Sequence, residues 1–588
     1  MAQDPFTIEI VKEALVAIGD EMFAALIRTS MSPIIYETTD FAVGATDASG
    51  NLLAQGNGVT GFLATLDTAV QSTLMRYPYA DSISPGDVFI TNSPYEGGGT
   101  HLSDVVILLP VFHGDRLIAW TVNKAHWTEV GGAFPGSAST QSTDIFQEGL
   151  HFRFLKLYEA GRLNQGIVEI IRANVRLPES TIGDLHAGVA ACRVGGNRIL
   201  ELVGKYGLDA VLAAMRELLD YGERMTRAAL ARLPQGVFEA EDVIEEDGVG
   251  GGPFTIKVKV TIEGGRMTAD FTGTAAQARG PINTSFAGLV TAARCAFKAV
   301  TDPGIPANGG CFRALDVICP PGTILSAQSP APVSVYYESM IAAIEVMWRA
   351  LMPHVPDRLP VGHTRSVGAT FISGIHPRTG ELFVMGEPLL GGWGASADAD
   401  GDNGQFCCGN GETFNIPIEL AESRYGFEID RYGFHDEPGG EGRFRGGKGV
   451  VLDYRITAEE AFLTFSSTRT VSRPWAAAGG REGSHNGALV LRADGSHEVH
   501  TMVTGLRVAK GETVRLITAT GGGYGPPEQR PRAAVERDLK NGFITREQAV
   551  EVFGQRIDAA VPLSFPVEPR TRTPELAAAN ENEGMSRA

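Results

Sequence analysis

The sequence predicts an α+β protein, multi-lobed and β-rich, with helical segments near the N-terminus, over residues 165–232 and near the C-terminus. Three observations carry this. Apolar residues recur at helical spacing in a few long stretches. Elsewhere, short β-branched and aromatic runs are separated by turn sequences. The chain also holds 72 Gly and 32 Pro, which punctuate it with sharp turns. With 588 residues it can bury large cores and divide into several lobes.

The elements follow in order. Asp4-Pro5 opens a helix, and Ile8, Val11, Leu15, Ile18, Met22 and Leu26 give one apolar face over residues 6–30. Residues 40–55 read as a strand, a turn at Asp47-Ala48-Ser49-Gly50 and a second strand. Residues 105–112 (VVILLPVF) and 117–123 (LIAWTVN) read as a β-hairpin about His113-Gly114-Asp115-Arg116. Pro110 marks an edge or a bulge. Three helices fill residues 165–232, with His186 as an ordinary helix residue. GPFTIKVKVTIEGGRMTADFTG turns at Glu263-Gly264-Gly265 between strands. Residues 286–300 and 337–353 are helical, the second apolar throughout and therefore buried. From 360 to 520 short strands near 450–456, 461–467, 488–493 and 513–519 alternate with Gly-rich loops. Residues 530–556 return to helix, and the tail from 566 lacks apolar periodicity.

The hairpin carries the chemistry. Regular pairing about its turn sets residue 104 opposite 125 and residue 103 opposite 126. His101, Asp104 and His126, distant in sequence, then share its open end. Two imidazoles and a carboxylate suit a borderline divalent metal and leave a coordination position for water. Asp40, at the start of an earlier strand, is a fourth ligand or a carboxylate behind the first three. The plainer alternative is a turn that satisfies its own backbone beside a surface histidine, and a slip of one residue would turn a side chain to the other face.

Composition excludes several classes. A net charge of −19 argues against nucleic acid as a partner. No apolar run is long enough to cross a bilayer, and MAQDPFTIEI lacks the features of a signal peptide, so a cytoplasmic location is expected. The six cysteines show no CxxC spacing, and Cys407-Cys408 reads as a pair of packing thiols. GGGYG at 521–525 is followed by Pro526-Pro527 rather than by Lys-Ser/Thr and a helix, so it does not read as a nucleotide loop. GGEGRFRGGKG at 439–449 reads as a packed turn in preference to an anion site.

Taken together, these stretches resemble the hydantoinase B family, which includes B subunits or halves of ATP-dependent N-methylhydantoinases, 5-oxoprolinases and caprolactamases, and a large subunit of acetone carboxylases. The matching runs are TTDFAVGATDASGNLLAQ (38–55), GDVFITNSPYEGGGTHLSDV (86–105), AHWTEVGG (125–132), TDIFQEGL (143–150), DFTGTAAQARGPIN (270–283), DPGIPANGG (302–310), GGEGRFRGGKGV (439–450), RPWAAAGG (473–480) and TGGGYGPPEQR (520–530). Each is weak alone; their number and order carry the resemblance, from about residue 5 to about residue 560.

The resemblance implies a metal site on Asp40, His101, Asp104 and His126, holding one Zn2+ or Mn2+. It further implies a hydantoinase A-type partner subunit that binds ATP, assembled with this chain as a dimer of heterodimers, and a small cyclic amide substrate. Glu129, three residues past His126, is the candidate general base. The sequence departs from the family at Ser93, at Glu129, and at Phe152-Arg153 after His151, where the family often has Asp, Asp and a Pro pair. The expected function is the metal-containing B subunit of an ATP-dependent cyclic amide hydrolase. The alternatives are a ketone carboxylase subunit and a non-catalytic scaffold. The expected divisions are a hairpin-rich lobe with the metal site (1–164), a helical segment (165–235), an α+β middle lobe (236–385), a Gly-rich β lobe (386–530), C-terminal helices (531–565) and a flexible tail (566–588).

Overall fold

Strand pairing and helix packing in a computed structural model give the architecture, for residues 5–557 apart from 64, 80 and 436. The tail from 566 lies outside the described residues. The chain forms two compact units. The first holds the residues up to Asp242, Glu246–Ala350 and Cys408–Ile416; the second holds Val243–Glu245, Leu351–Cys407 and the residues from Pro417 onward.

The first unit begins with α1 (Pro5–Thr29), whose buried face includes Val11, Leu15, Ile18, Met22 and Leu26 as the spacing predicts. After α2 (Pro33–Tyr36) come β1 (Phe41–Asp47), β2 (Leu52–Gln55), α3 (Thr60–Leu63), α4 (Leu66–Arg76), β3 (Val88–Thr91), β4 (Asp104–His113), β5 (Arg116–His126), β6 (Leu155–Glu159) and β7 (Arg162–Leu163). These strands form one antiparallel sheet in the order β2-β1-β5-β4-β3-β6-β7. The helices α5 (Gln165–Asn174), α6 (Pro178–Tyr206) and α7 (Leu208–Leu230) follow. The segment expected as a separate helical lobe belongs to this unit, because α6 packs directly on β4 and β5. Thr121 Oγ1 donates to the Cys192 carbonyl at 2.8 Å and Asn123 Nδ2 to the Gly188 carbonyl at 2.7 Å. His186 is an exposed residue of α6.

A four-stranded sheet in the order β11-β10-β9-β8 comes next, from β8 (Gly236–Ile244), β9 (Phe254–Glu263), β10 (Arg266–Asp270) and β11 (Leu315–Ile318). With it go α8 (Phe286–Val300) and the buried α9 (Tyr336–Leu351).

The second unit holds two sheets, β13-β12-β16-β19 and β14-β15-β20-β17-β18. Their strands are β12 (Thr370–Ile375), β13 (Leu382–Glu387), β14 (Phe427–Phe434), β15 (Val450–Ile456), β16 (Glu460–Ser466), β17 (Gly487–Leu491), β18 (His497–His500), β19 (Met502–Ala509) and β20 (Thr513–Ile517). The helices are α10 (Ile418–Arg424), α11 (Arg532–Lys540) and α12 (Arg546–Glu551). All six cysteines are free thiols. Among the described residues, no helix is long and apolar enough to cross a membrane.

The GGGYG stretch is a packing element. The amides of Gly521, Gly522, Gly523, Tyr524 and Gly525 donate to the carbonyls of Gly447, Gly362, Arg481, Phe444 and Ala477, so they are committed to backbone and none is turned to a phosphate. A Cβ on Gly521 would lie 1.9 Å from the Trp393 carbonyl oxygen, which explains the glycine. In the neighbouring basic run, Arg445 bonds Asp538 and Asn403.

Candidate metal centre

The expected hairpin is present, but its register differs by one residue, and the difference matters. Next to the turn, Phe112 faces Leu117; beyond a bulge, Val111 faces Ala119. Ile118 is the extra residue. From there to the open end every pair is shifted, and Asp104 stands opposite His126 rather than opposite residue 125. Regular pairing would have set Asp104 and His126 on opposite faces; the bulge sets them on one. Pro110 is tolerated beside it because β3 pairs only with Val106–Leu108, leaving that side of β4 open.

The row extends across a third strand. Phe41 faces Ala125, and the His126 amide donates to the Asp40 carbonyl at 3.0 Å. Asp40, His126 and Asp104 thus start or end three adjacent strands in one line, on the sheet face opposite to α6. His101 reaches the same point from the turn before β4. The His101 and Asp104 side chains touch through Nε2 and Oδ1 at 3.0 Å, and the His101 and His126 ring centroids are 5.0 Å apart. Ligand atoms of His101, Asp104 and His126 all lie within 4.8 Å of one another. Asp40 stands beside this triplet and is coupled to it electrostatically.

Backbone geometry holds the parts in place. Asn92 Nδ2 donates to the carbonyls of Leu102 and Leu150 at 2.7 and 2.9 Å, and its Oδ1 accepts from the Phe152 amide at 2.7 Å. It ties the His101 turn to the QEGL stretch. A Cβ on Gly99 would sit 2.2 Å from the Asn92 carbonyl oxygen, so only glycine fits under the turn. Thr39, before Asp40, holds φ = 56°, a left-handed conformation rare for a β-branched residue. Its Oγ1 donates to the Glu412 carbonyl at 2.7 Å, which clamps that conformation.

The electrostatics are those of a crowded buried cluster. Burial opposes ionisation of Asp104, yet His101, then Lys124 and His126, outweigh it and hold the carboxyl far below its usual range. For His101, burial disfavours the charged ring, but Asp104 prevails and holds it above its ordinary value. Burial, reinforced by His101, pushes His126 down to about 3, so this ring is neutral and keeps a lone pair. Burial and repulsion from Asp104 push Asp40 up to about 7.

A neutral His101 Nε2 and an ionised Asp104 Oδ1 are both lone-pair atoms. At 3.0 Å they attract only with a proton or a cation between them. His101 Nδ1, 3.1 Å from the Ser334 carbonyl oxygen, carries the other proton, since a carbonyl only accepts. This donor set, with one ring neutral and one oriented by a carbonyl, fits a divalent metal.

Glu129 has a different environment. Its oxygens accept from the amides of Gly131 and Gly136, from Ser137 Oγ and from Arg176 Nη1, at 2.8–3.1 Å. A carboxylate that accepts four such bonds, three of them on Oε1, is tied into the loop after His126 and organises it.

Four residues escaped the sequence reading. Lys124 lies two positions before His126 on the same face of β5, fully buried, with Nζ 3.2 Å from Thr65 Oγ1 and 4.8 Å from the Phe62 ring centroid. Burial pushes it down to about 8 against the pull of Asp104 and Asp40. Strand alternation would have found it. Glu148 lies in the QEGL run, and burial pushes it up to about 7. Ser334 and Tyr336 arrive from more than 200 residues away, with the Tyr336 ring 5.1 Å from that of His101; no local signal announces them.

With this geometry established, comparison places the chain. It belongs to the Hydantoinase B/oxoprolinase family, which matches residues 4–527. It is 34% identical over 558 residues to an uncharacterized protein of Methanocaldococcus jannaschii, covering 94% of this chain and 96% of that one. It is 30% identical over 570 residues to caprolactamase subunit beta of Pseudomonas jessenii, covering 94% and 96%. The crystal structure of the ATP-dependent caprolactamase from that organism superposes with a TM-score of 0.88 at 29% identity, over 96% of this chain and 98% of that one. A nucleotide-free acetone carboxylase shares the fold, with a TM-score of 0.87 at 18% identity, over 94% of this chain and 80% of that one.

Proposed function

We propose that this chain is the metal-binding B subunit of an ATP-dependent cyclic amide hydrolase, acting with an A-type subunit that binds ATP. The observation that carries the reading is the Asp40–His126–Asp104 row with His101 folded onto it, in a chain of this family.

An amide in a small ring resists water because resonance protects its carbonyl. In this reading the partner uses ATP to phosphorylate the amide oxygen, creating a leaving group and an electrophilic carbon. His101, Asp104 and His126 hold one Zn2+ or Mn2+, with Asp40 as the fourth donor. A bound divalent ion supplies Lewis-acid polarisation and lowers the pKa of water. The remaining work belongs to the chain. The neutral His126 offers its lone pair. Lys124 sets a positive charge behind two adjacent carboxylates, which limits their mutual repulsion. Tyr336 packs its buried ring beside His101 and walls the site on that side. Glu129 shapes the loop after His126.

The test is coexpression with the A-type chain, then parallel assay of phosphate and ring-opened product over lactams, hydantoins, 5-oxoproline and ketones. The reading expects lactam- or hydantoin-dependent product from the pair, and neither product nor ATP turnover from this chain alone. Turnover of a ketone that requires bicarbonate would replace it with the carboxylase reading.

A further inference from the structure

Glu148 lies more than 40 residues beyond Asp104 and His101 in sequence, yet it ends a chain of contacts leading to one ring nitrogen of His101. Its carboxylate is buried, and Oε1 accepts from Ser142 Oγ at 2.7 Å, from the Val333 amide at 3.0 Å and from the Ser334 amide at 2.9 Å. Two successive amides converging on one oxygen fix the orientation of the peptide units about Ser334. The Ser139 amide, donating to Ser334 Oγ at 3.0 Å, restrains the same residue. The Ser334 carbonyl is then aimed at His101 Nδ1, 3.1 Å away. A carbonyl takes a proton and gives none, so it holds the proton on Nδ1 and leaves the Nε2 lone pair toward Asp104.

We propose that Glu148 is a positioning residue that selects the metal-facing nitrogen of His101 by anchoring the Val333-Ser334 backbone. It acts through Ser334 and touches neither metal nor substrate. The proposal rests on the metal reading of His101, Asp104 and His126. Outer partners of ligating histidines fix tautomer and ring orientation, and their loss typically weakens metal binding by about 10–100-fold. The Val333 amide is shared with Oε2 at 3.1 Å, but all three donors reach Oε1, and an amide carbonyl in its place would accept the same three bonds.

The experiment strips the full chain of metal and titrates it with Mn2+, and with Zn2+ against a chromophoric chelator. The variants are Glu148→Ala, Glu148→Asp, Glu148→Gln and the double variant His101→Ala/His126→Ala. The Co2+-loaded absorption spectrum is recorded for each single variant. Glu148→Ala and Glu148→Asp should bind about 10–100-fold more weakly with an altered Co2+ band. Glu148→Gln should stay within about threefold of wild type and keep its band. Should Glu148→Ala fail to fold, Glu148→Asp, which keeps the charge but falls short of both amides, decides. If the double His variant loses the metal while Glu148→Asp binds like wild type, the positioning role is overturned and the metal reading stands. Equal weakening in Glu148→Gln and Glu148→Asp would also overturn it, since charge and not the accepted bonds would then matter. If the double His variant binds metal like wild type, the metal reading itself fails.

Discussion

Three side chains in one row across three strands meet a fourth from a turn, and the crowding of their charges can be measured. In the metal-free protein, burial and Asp104 raise Asp40 from 3.8 to about 7. Well below pH 3.8, Asp40 is protonated both folded and unfolded and carries no penalty. As pH rises, the unfolded chain loses the proton first, so stability falls until about pH 7 and then levels. Asp40→Asn should therefore unfold at a higher temperature than wild type in chelator, by a margin that grows between about pH 4 and pH 7. At about 1.36 kcal/mol per pKa unit, the limit is roughly 4 kcal/mol, and the gain is smaller because Asp40 keeps some solvent contact. A margin independent of pH would refute this electrostatic account. Glu129→Ala separates two roles. A loop organiser losing an ion pair and three hydrogen bonds should cost roughly 2–4 kcal/mol in chemical denaturation. A general base would lose turnover with stability intact. At this scale the sequence was legible wherever strand alternation or a motif spoke. His101, Asp104 and His126 do meet. Spacing from a ligand made Glu129 a candidate base, but it says nothing of the four donors that the following loop and Arg176 turn toward it.

At the scale of elements, the bulge at Ile118 decides which face His126 occupies. Nothing in LIAWTVN announces it beyond Pro110 on the facing strand. The long helices were readable because their apolar faces repeat over several turns. The hairpins at 41–55 and 104–126 were readable because turn residues separate unbroken β-branched runs. β12, β13, β14, β18 and β19 were not identified as strands. FEIDRYGF in β14 shows why: its outer positions are exposed and charged, and Gly433 interrupts the run. The turn carrying His101 gives a prediction here. Gly99→Ala drives a methyl into the Asn92 carbonyl, which is backbone and cannot swing aside. It should cost about 1–3 kcal/mol and weaken metal binding along with it. Thermal unfolding of the metal-free variant beside a metal titration reads both; unchanged affinity would show that His101 does not depend on this turn.

At the scale of the molecule, the first unit contains all the proposed ligands, and in the second the glycines of 521–525 hold backbone against backbone. Family membership was legible from the order of many weak motifs. The six expected divisions were not, since α6 covers the sheet that precedes it and residues 408–416 return to the first unit to clamp Thr39. The central claim is that the histidine–aspartate cluster holds a divalent metal on which ring opening depends. The most direct measurement is elemental analysis and ring-opened product from the same preparations of the complex, wild type beside Asp104→Ala. The account predicts one ion per B chain in wild type, and loss of ion and product together in Asp104→Ala. Product formed at the wild-type rate by metal-free Asp104→Ala complex would contradict it.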